Sequence, residues 1–222
     1  MFWALVRSGG LAAIVGGTAS AALGLLYVFQ ARGLALDFTE KGLQKGHYES
    51  PVLTMLLVGV LAAIFSLHLA QRRYYGGWGA LGSFVAFAGV ALVFGGNLLG
   101  AFVPSIASMA IIFLFAGILA MSVGIVILGI ATMAAGRLPR WSGAAVIAGS
   151  PAFVFLGFMV ANFVEMSLGS LSLPSEVPGG LGWGMLWVLA GAPWAVVGYA
   201  LFRAGLHVPE RFPRMRQRLG GE

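Results

Sequence analysis

Apolar residues fill six long segments of this 222-residue chain, and shorter polar segments separate them. Residues 74–136 contain no charged residue and no histidine, although Arg72-Arg73 precede them and Arg137 follows. A bilayer core of about 30 Å takes roughly 20 helical residues to cross, so this segment suits two spans rather than one. Glycine and proline in its middle predict the turn between the two helices. They stand, with one asparagine, at Gly95, Gly96, Asn97, Gly100 and Pro104.

The whole pattern predicts an all-α, polytopic six-helix bundle. The predicted helices cover residues 8–30, 51–70, 78–95, 105–135, 141–163 and 181–202. They belong to one transmembrane domain, 1–203, and a basic soluble tail follows at 204–222. The apolar run near the N-terminus is longer than a signal-peptide core of about 7–15 residues, so we interpret it as a retained span. Pro151 should kink the fifth helix, because proline removes a backbone hydrogen bond.

Basic residues favour one side of this predicted bundle. With the N-terminus in the cytoplasm, ten of the 13 Lys and Arg residues fall inside and five of the seven acidic residues fall outside. The ten are Arg7, Arg72, Arg73, Arg137, Arg140, Arg203, Arg211, Arg214, Arg216 and Arg218. This distribution satisfies the positive-inside rule. It predicts that both termini are cytoplasmic and that the protein lies in a cell membrane, the bacterial inner membrane.

Composition supports the membrane interpretation. The chain is 59% hydrophobic and only 9% charged, whereas soluble proteins average about 25% charged residues. The net charge of +6 follows from cytoplasmic loops, so we expect the lipid bilayer and not nucleic acid as the partner. Cysteine is absent, which excludes disulfides, thiolate metal sites and cysteine nucleophiles.

Catalytic chemistry has no candidate residues in this sequence. No predicted span contains a charged residue, which argues against proton pumps, ion-coupled transporters and voltage sensors. The histidines His47, His68 and His207 fall in a loop, near a helix end and in the tail, so no haem or metal site is expected. The expected function is therefore non-enzymatic, with a structural or interaction role and no cofactor. The alternative is a component that binds or transports a small molecule.

Polar and aromatic residues near the predicted outer helix ends are candidates for such a binding pocket. They are Tyr27, Gln30, Asn97, Asn162, Glu165, Trp183 and Trp187. On the functional interpretation, these residues line an outward-facing pocket beneath the loop 31–50. The alternative interpretation is ordinary helix capping together with an aromatic belt, which needs no ligand.

The first predicted helix carries a run of small residues. They are Ala12, Ala13, Gly16, Gly17, Ser20, Ala21 and Gly24. Small residues at helical spacing let two backbones approach closely in lipid. They predict either a face for a membrane partner or a second copy of the chain, or packing inside the bundle.

The tail carries the remaining candidate interaction site. Its arginines are Arg211, Arg214, Arg216 and Arg218. Near an anionic membrane surface each contributes about 1 kcal/mol to binding, so the tail is expected to contact anionic lipid.

The segment Arg137-Leu138-Pro139-Arg140-Trp141-Ser142-Gly143 resembles a turn in small uncharacterised bacterial multi-pass membrane proteins. That resemblance implies topology alone. The chain is also similar in length and helix number to the substrate-capture subunits of energy-coupling vitamin transporters. This second resemblance implies that Ala13, Gly17 and Ala21 match the family's docking motif and that residues 31–50 match its lid.

Overall fold

A computed structural model describes residues 2–31, 49–102, 107–169 and 180–206. The described residues form seven helices, which confirms the predicted all-α class. In chain order the helices are α1 (Phe2–Ala31), α2 (Glu49–Gln71), α3 (Gly76–Phe102), α4 (Ala107–Ala135), α5 (Arg140–Ala148), α6 (Pro151–Gly169) and α7 (Gly180–Leu206). The predicted tail arginines and most of the loop 31–50 lie outside the described residues.

Five helices are long and apolar enough to cross a membrane: α1, α2, α3, α4 and α7. The bent pair α5 and α6 adds a sixth candidate if it is taken as one span. Large apolar side chains cover the outside of these helices, and Phe84, Ile112 and Leu119 are each at least 67% exposed. Because lipid accommodates such surfaces and water does not, these helices fit a multi-pass integral membrane protein.

Two helices differ from the sequence prediction. Helix α3 continues to Phe102 instead of ending at Gly95, because glycine is tolerated in membrane helices and the next proline comes only at Pro104. The predicted fifth helix is broken rather than kinked, since α5 and α6 meet at 64°. Pro151 occupies the first position of α6, where its missing N–H and fixed φ favour starting a new helix.

The break between α5 and α6 packs against α7. Trp194 is fully buried, and its Nε1 donates a hydrogen bond of 3.1 Å to the Gly149 carbonyl oxygen. A Cβ atom at Gly149 would lie 2.7 Å from that nitrogen. Ser150 is also buried, and its Oγ has no hydrogen-bond partner among the described residues. The bend is therefore part of the bundle interior.

Helices α1 and α7 form an antiparallel pair with the most extensive contact in the described bundle. Glycines at spacing seven face each other along it, with Gly10 opposite Gly198, Gly17 opposite Gly191 and Gly24 opposite Gly184. An added Cβ on any of them would lie within 2.8 Å of the facing helix backbone. Small residues allow this close approach, where packing and polar contacts replace the hydrophobic effect as the driving force.

The neighbouring side of α1 packs antiparallel against α2. A Cβ added to Gly16 would lie 2.4 Å from the Met55 carbonyl oxygen, and one added to Gly59 would lie 2.7 Å from the Ala12 carbonyl oxygen. Two faces of α1 are thus occupied by helices of the same chain, and α1, α2 and α7 form one group.

Helices α3 and α4 form a second antiparallel pair with facing glycines. Gly82 faces Gly124 and Gly89 faces Gly117, again at spacing seven on both helices. Helix α5 then packs on α4, where Gly129 meets Gly143. Contact between α2 and α3 is much sparser than contact within either close pair. The bundle is therefore built from two closely packed groups that meet along a looser seam.

Two turns bring the chain back at one end of this bundle. The turn after α2 ends at Gly76, whose φ is +59°, and the turn after α4 begins at Gly136, whose φ is +62°. Only glycine adopts this left-handed conformation without strain. Helix α1 begins at the same end and α7 finishes there, so we call it the arginine end, and its opposite the far end.

Candidate functional site

A cavity of about 850 Å³ opens at the arginine end, where the two helix groups meet. Residues of α1, α2, α5 and α7 and of both turns contribute to it. Its lining consists of Trp3, Leu69, Ala70, Gln71, Arg72, Arg73, Tyr74, Arg137, Leu138, Pro139, Trp141, Ala200, Arg203 and Ala204. Its volume lies in the range of about 300–1,000 Å³ typical of small-molecule sites. We call it the arginine cavity.

Four arginines are among the residues that line this cavity, Arg72, Arg73, Arg137 and Arg203, and all four are also exposed to the surroundings. None of the described residues that line it is acidic. Guanidinium groups stay charged at all physiological pH values and present planar sets of donors that match phosphate and carboxylate oxygens. The lining of the cavity therefore concentrates positive charge, which favours binding of an anion.

Gln71 provides the polar group at the buried side of the cavity. It is the last residue of α2 and is completely buried. Both its Nε2 and its Oε1 lack a hydrogen-bond partner among the described residues. An unpaired buried amide costs about 1–3 kcal/mol, so most buried polar side chains are paired. Both atoms are covered in the ligand-free structure, so a bound molecule pairs with this donor and acceptor only when the Gln71 side chain turns toward the cavity.

Tyr74 and Arg137 join the two turns across the cavity mouth. The Arg137 guanidinium lies over the Tyr74 ring, 4.1 Å from its centroid, and also donates a hydrogen bond to the Tyr74 hydroxyl oxygen. Next to Arg137, Leu138 is buried and anchors the turn after α4. This contact fixes the direction in which one of the four cations points.

A buried hydrogen-bonded chain holds the turn after α2 in place. The Tyr75 hydroxyl lies 2.9 Å from His68 Nδ1 and 3.1 Å from Ser83 Oγ, which itself donates to the Gly79 carbonyl oxygen. Burial raises the pKa of the Tyr75 hydroxyl, and the bond to Ser83 opposes that rise in part. Tyr75 is therefore a neutral hydroxyl at physiological pH. These hydrogen bonds hold the turn that follows Gln71 and Arg72, but His68, Tyr75 and Ser83 themselves do not line the cavity.

The described residues of the pocket predicted at the other end make contacts within the bundle. Trp187 Nε1 is buried there without a hydrogen-bond partner among the described residues. Tyr27 and Trp187 are buried together with Leu23 in a small cluster. The Asn162 Nδ2 donates to the Phe158 carbonyl oxygen of its own helix at 2.8 Å, and Trp183 contacts the Phe158 ring edge to face. None of the four predicted residues lines the arginine cavity. The side chains of Gln30, Asn97 and Glu165 lie outside the described residues.

A second cavity of about 570 Å³ lies beside the break, between α6 and α7. Apolar residues such as Phe153, Leu156 and Leu189 line it, and none of the predicted pocket residues does. None of the described residues that line it has a polar side chain that would orient a ligand.

The predicted small-residue face of α1 divides between two neighbours in the same chain. Gly16, with the backbone of Ala12 and Ala13, meets α2, whereas Gly17, Gly24 and Ala21 meet α7. Ser20 is buried, and its Oγ donates to the Trp187 carbonyl oxygen at 2.8 Å. Intramolecular packing occupies these positions. The contact with α7 follows spacing seven through Gly10, Gly17 and Gly24.

Sequence reasoning used the residues of the arginine cavity only to orient the bundle. Arg72, Arg73, Arg137 and Arg203 were all assigned to one side of the membrane, but their meeting in one cavity depends on how α7 packs. The one feature of the sequence that could have indicated this cavity is Gln71, an uncharged polar residue between an apolar helix and two arginines. No protein-family model, curated protein or solved structure matches the chain.

Proposed function

We propose that this chain is a non-enzymatic, multi-pass membrane protein that binds a phosphate-bearing anion in the arginine cavity. The carrying observation is the combination of four cavity-lining arginines with the buried, unpaired amide of Gln71. Arginines alone line many membrane-protein turns. A buried amide with both groups unpaired costs stability, and a ligand that pairs it offsets that cost.

Binding rather than catalysis is the function these residues support. Among the described residues, the cavity lining contains no serine, histidine, lysine or carboxylate that could act as nucleophile or general base. His68 lies nearby, but its Nδ1 is hydrogen-bonded to the Tyr75 hydroxyl. Arginine and glutamine can hold a phosphate group without transforming it.

Helix directions support six membrane crossings. Helices α1 and α7 are antiparallel, because Gly10 faces Gly198 and Gly24 faces Gly184. Helix α5 starts at the arginine end and α7 finishes there, so the chain must reach the far end through α5 and α6. A re-entrant α5–α6 pair that returned to the arginine end would make α7 parallel to α1. We therefore assign the pair as one bent crossing.

Following the positive-inside rule, we further propose that the arginine end faces the cytoplasm. We take the membrane to be the bacterial inner membrane. On this assignment the cavity opens at the depth of the cytoplasmic lipid headgroups and faces cytoplasmic solutes. Both are sources of phosphate-bearing anions.

The proposal is tested with the purified full-length chain in a neutral maltoside detergent. Tryptophan fluorescence and the thermal unfolding midpoint are measured on addition of two anions, sn-glycerol 1-phosphate and dioctanoyl phosphatidic acid. At least one should bind, and Arg72→Gln and Arg203→Gln, made as separate single variants, should each weaken it by roughly 10- to 100-fold, since a hydrogen bond to a charged group contributes about 1.5–3 kcal/mol.

Arg7→Gln is the matched control. Arg7 lies at the same end, over the Phe202 ring, but does not line the cavity. Its removal lowers the net charge equally and should leave binding nearly unchanged. Binding of neither anion, or equal loss in both sets of variants, would refute the proposed site.

A second candidate function is lipid or solute transport, which the break between α5 and α6 favours. Broken helices in transporters mark substrate sites and moving elements, and here the break includes the buried, unpaired Ser150 Oγ. Fluorescent-lipid exchange between leaflets of proteoliposomes tests this candidate. A rate equal to that of protein-free vesicles excludes lipid transport.

A further inference from the structure

We infer that the anion is a phospholipid of the adjacent leaflet, with a headgroup that carries a hydroxyl group beyond its phosphate. This inference rests on the proposed function and names the ligand of the same cavity. Three features of the cavity support it: its mixed walls, the two free groups of Gln71 and its volume.

The walls of the cavity combine cationic and apolar surfaces. Trp3, Leu69 and Trp141 line it beside the arginines, together with Ala200 and Ala204. A soluble phosphate compound without an apolar part, such as glycerol phosphate, gains little from such walls. A phospholipid has its phosphate next to glycerol ester and acyl carbons, so both surfaces would be used by one molecule.

The depth of the cavity fits a lipid headgroup. Trp141 in the lining is 46% exposed, and Trp78 at the start of α3 is 74% exposed at the same end. Tryptophan favours the boundary between headgroups and hydrocarbon because its ring is amphipathic. These side chains place the cavity mouth at the level where phospholipid phosphates lie.

Gln71 discriminates between headgroups. Its Nε2 can donate to a phosphate oxygen, but its Oε1 accepts and so requires a donor on the ligand. A phosphate diester without further groups has no donor. A glycerol or other polyol headgroup has hydroxyl groups, which can satisfy Oε1 and leave neither atom unpaired.

The cavity volume of about 850 Å³ also exceeds what a lone phosphate ion requires. Small-molecule sites of this size enclose drug-sized ligands. A glycerol phosphate headgroup with the start of two acyl chains belongs to that size class.

The test compares dissociation constants of the full-length protein for dioctanoyl phosphatidylglycerol, dioctanoyl phosphatidylmethanol and sn-glycerol 1-phosphate, in neutral detergent. Phosphatidylmethanol is a diester of the same charge without a hydroxyl group, so phosphatidylglycerol should bind roughly tenfold more tightly, which is the effect expected for one buried hydrogen bond. Glycerol phosphate should be weaker still, because it lacks acyl chains. Gln71→Leu should remove the preference for phosphatidylglycerol, and Arg7→Gln should retain it.

Gln71→Met, which keeps the side-chain length without an amide, serves as the second variant if Gln71→Leu does not fold. If sn-glycerol 1-phosphate binds as tightly as phosphatidylglycerol, the ligand is a solute and the inference is wrong while the proposed function stands. If both lipids bind equally and the Gln71 variants change neither, the hydroxyl requirement is wrong. If no anion binds, the proposed function fails as well.

Discussion

The Arg137 guanidinium stacks on the Tyr74 ring, and the two residues belong to different turns of the bundle. Tyr74 follows α2 and Arg137 follows α4, so this contact joins the two closely packed helix groups at the mouth of the arginine cavity. A cation held over an aromatic face has a restricted direction. The stack therefore orients the Arg137 guanidinium, whose direction could not be predicted from the sequence.

Loss of this stack should weaken anion binding. Tyr74→Ala removes both the ring and the hydroxyl, and we expect about a two- to fivefold loss of affinity, because exposed cation–π contacts contribute about 0.5–1 kcal/mol. Tyr74→Phe keeps the ring and should fall between Tyr74→Ala and the wild type. The measurement is the dissociation constant for dioctanoyl phosphatidylglycerol. Equal affinity in all three proteins would mean that Arg137 does not need Tyr74 to bind.

Gln71→Leu should stabilise the ligand-free protein while weakening ligand binding. Replacing an unpaired buried amide by an apolar side chain removes a cost of about 1–3 kcal/mol. The thermal unfolding midpoint without ligand should therefore rise, and the further rise on adding phosphatidylglycerol should shrink.

Thr132→Val is the matched control for that experiment. Thr132 is also buried with an unpaired Oγ1 among the described residues, but it does not line the cavity. It should raise the midpoint and leave the ligand-induced shift intact. A lower midpoint for Gln71→Leu would indicate that Gln71 is paired in the unliganded protein.

The apolar segments and the charge distribution predicted the helices because both depend on local sequence and on the lipid surroundings. The end of α3 was predicted wrongly, since Gly95 and Gly96 end helices readily in water but not in an apolar environment. Pro151 was correctly identified as an interruption, although its consequence is a break of 64° rather than a kink. The break is hydrogen-bonded to Trp194, which is 45 residues away along the chain and is not marked by any local pattern.

The arginine cavity could not be predicted from sequence for a related reason. Each arginine has a local explanation in the positive-inside rule, which accounts for its side of the membrane and not for its neighbours. The burial of Gln71 requires several elements to meet around one side chain. The helix pairing that brings them together is encoded in glycines spaced by seven on helices far apart in sequence, such as Gly10 and Gly198.

Substitutions in the α1–α7 contact should destabilise the bundle. At Gly17, an added Cβ would lie 2.6 Å from both Ala195 N and the Gly191 carbonyl oxygen, so Gly17→Ala forces the helices apart. Overpacking of this kind costs about 1–3 kcal/mol. Gly95→Ala is the control, because no atom lies within 4 Å of its added Cβ, and alanine favours helix. The thermal unfolding midpoint should fall for Gly17→Ala only.

Trp194→Phe should loosen the break between α5 and α6. It removes the hydrogen bond to the Gly149 carbonyl oxygen at a buried site, with an expected cost of about 1–3 kcal/mol. Trp78→Phe changes an exposed ring and should have little effect. Hydrogen exchange should increase at residues 149–154 in the first variant alone. Unchanged exchange there would show that packing without the hydrogen bond suffices to hold the bend.

The six-crossing assignment predicts a labelling pattern for single cysteines, which the chain allows because it has no cysteine of its own. Gly77→Cys lies at the arginine end, where an added side chain meets no atom within 4 Å. Ser175→Cys lies between α6 and α7 in the sequence. In intact bacterial cells a membrane-impermeant maleimide should label Ser175→Cys and should label Gly77→Cys only after the cells are made permeable.

The labelling result also tests the bent pair. A re-entrant α5–α6 pair would place Ser175→Cys on the same side as Gly77→Cys, and both would then be labelled under the same condition. Reversed labelling would keep the six crossings but put the arginine cavity outside, where it would meet the outer leaflet. Opposite sides, with Gly77→Cys protected in intact cells, is the outcome that places the cavity among the cytoplasmic headgroups and makes a lipid of that leaflet its nearest anionic ligand.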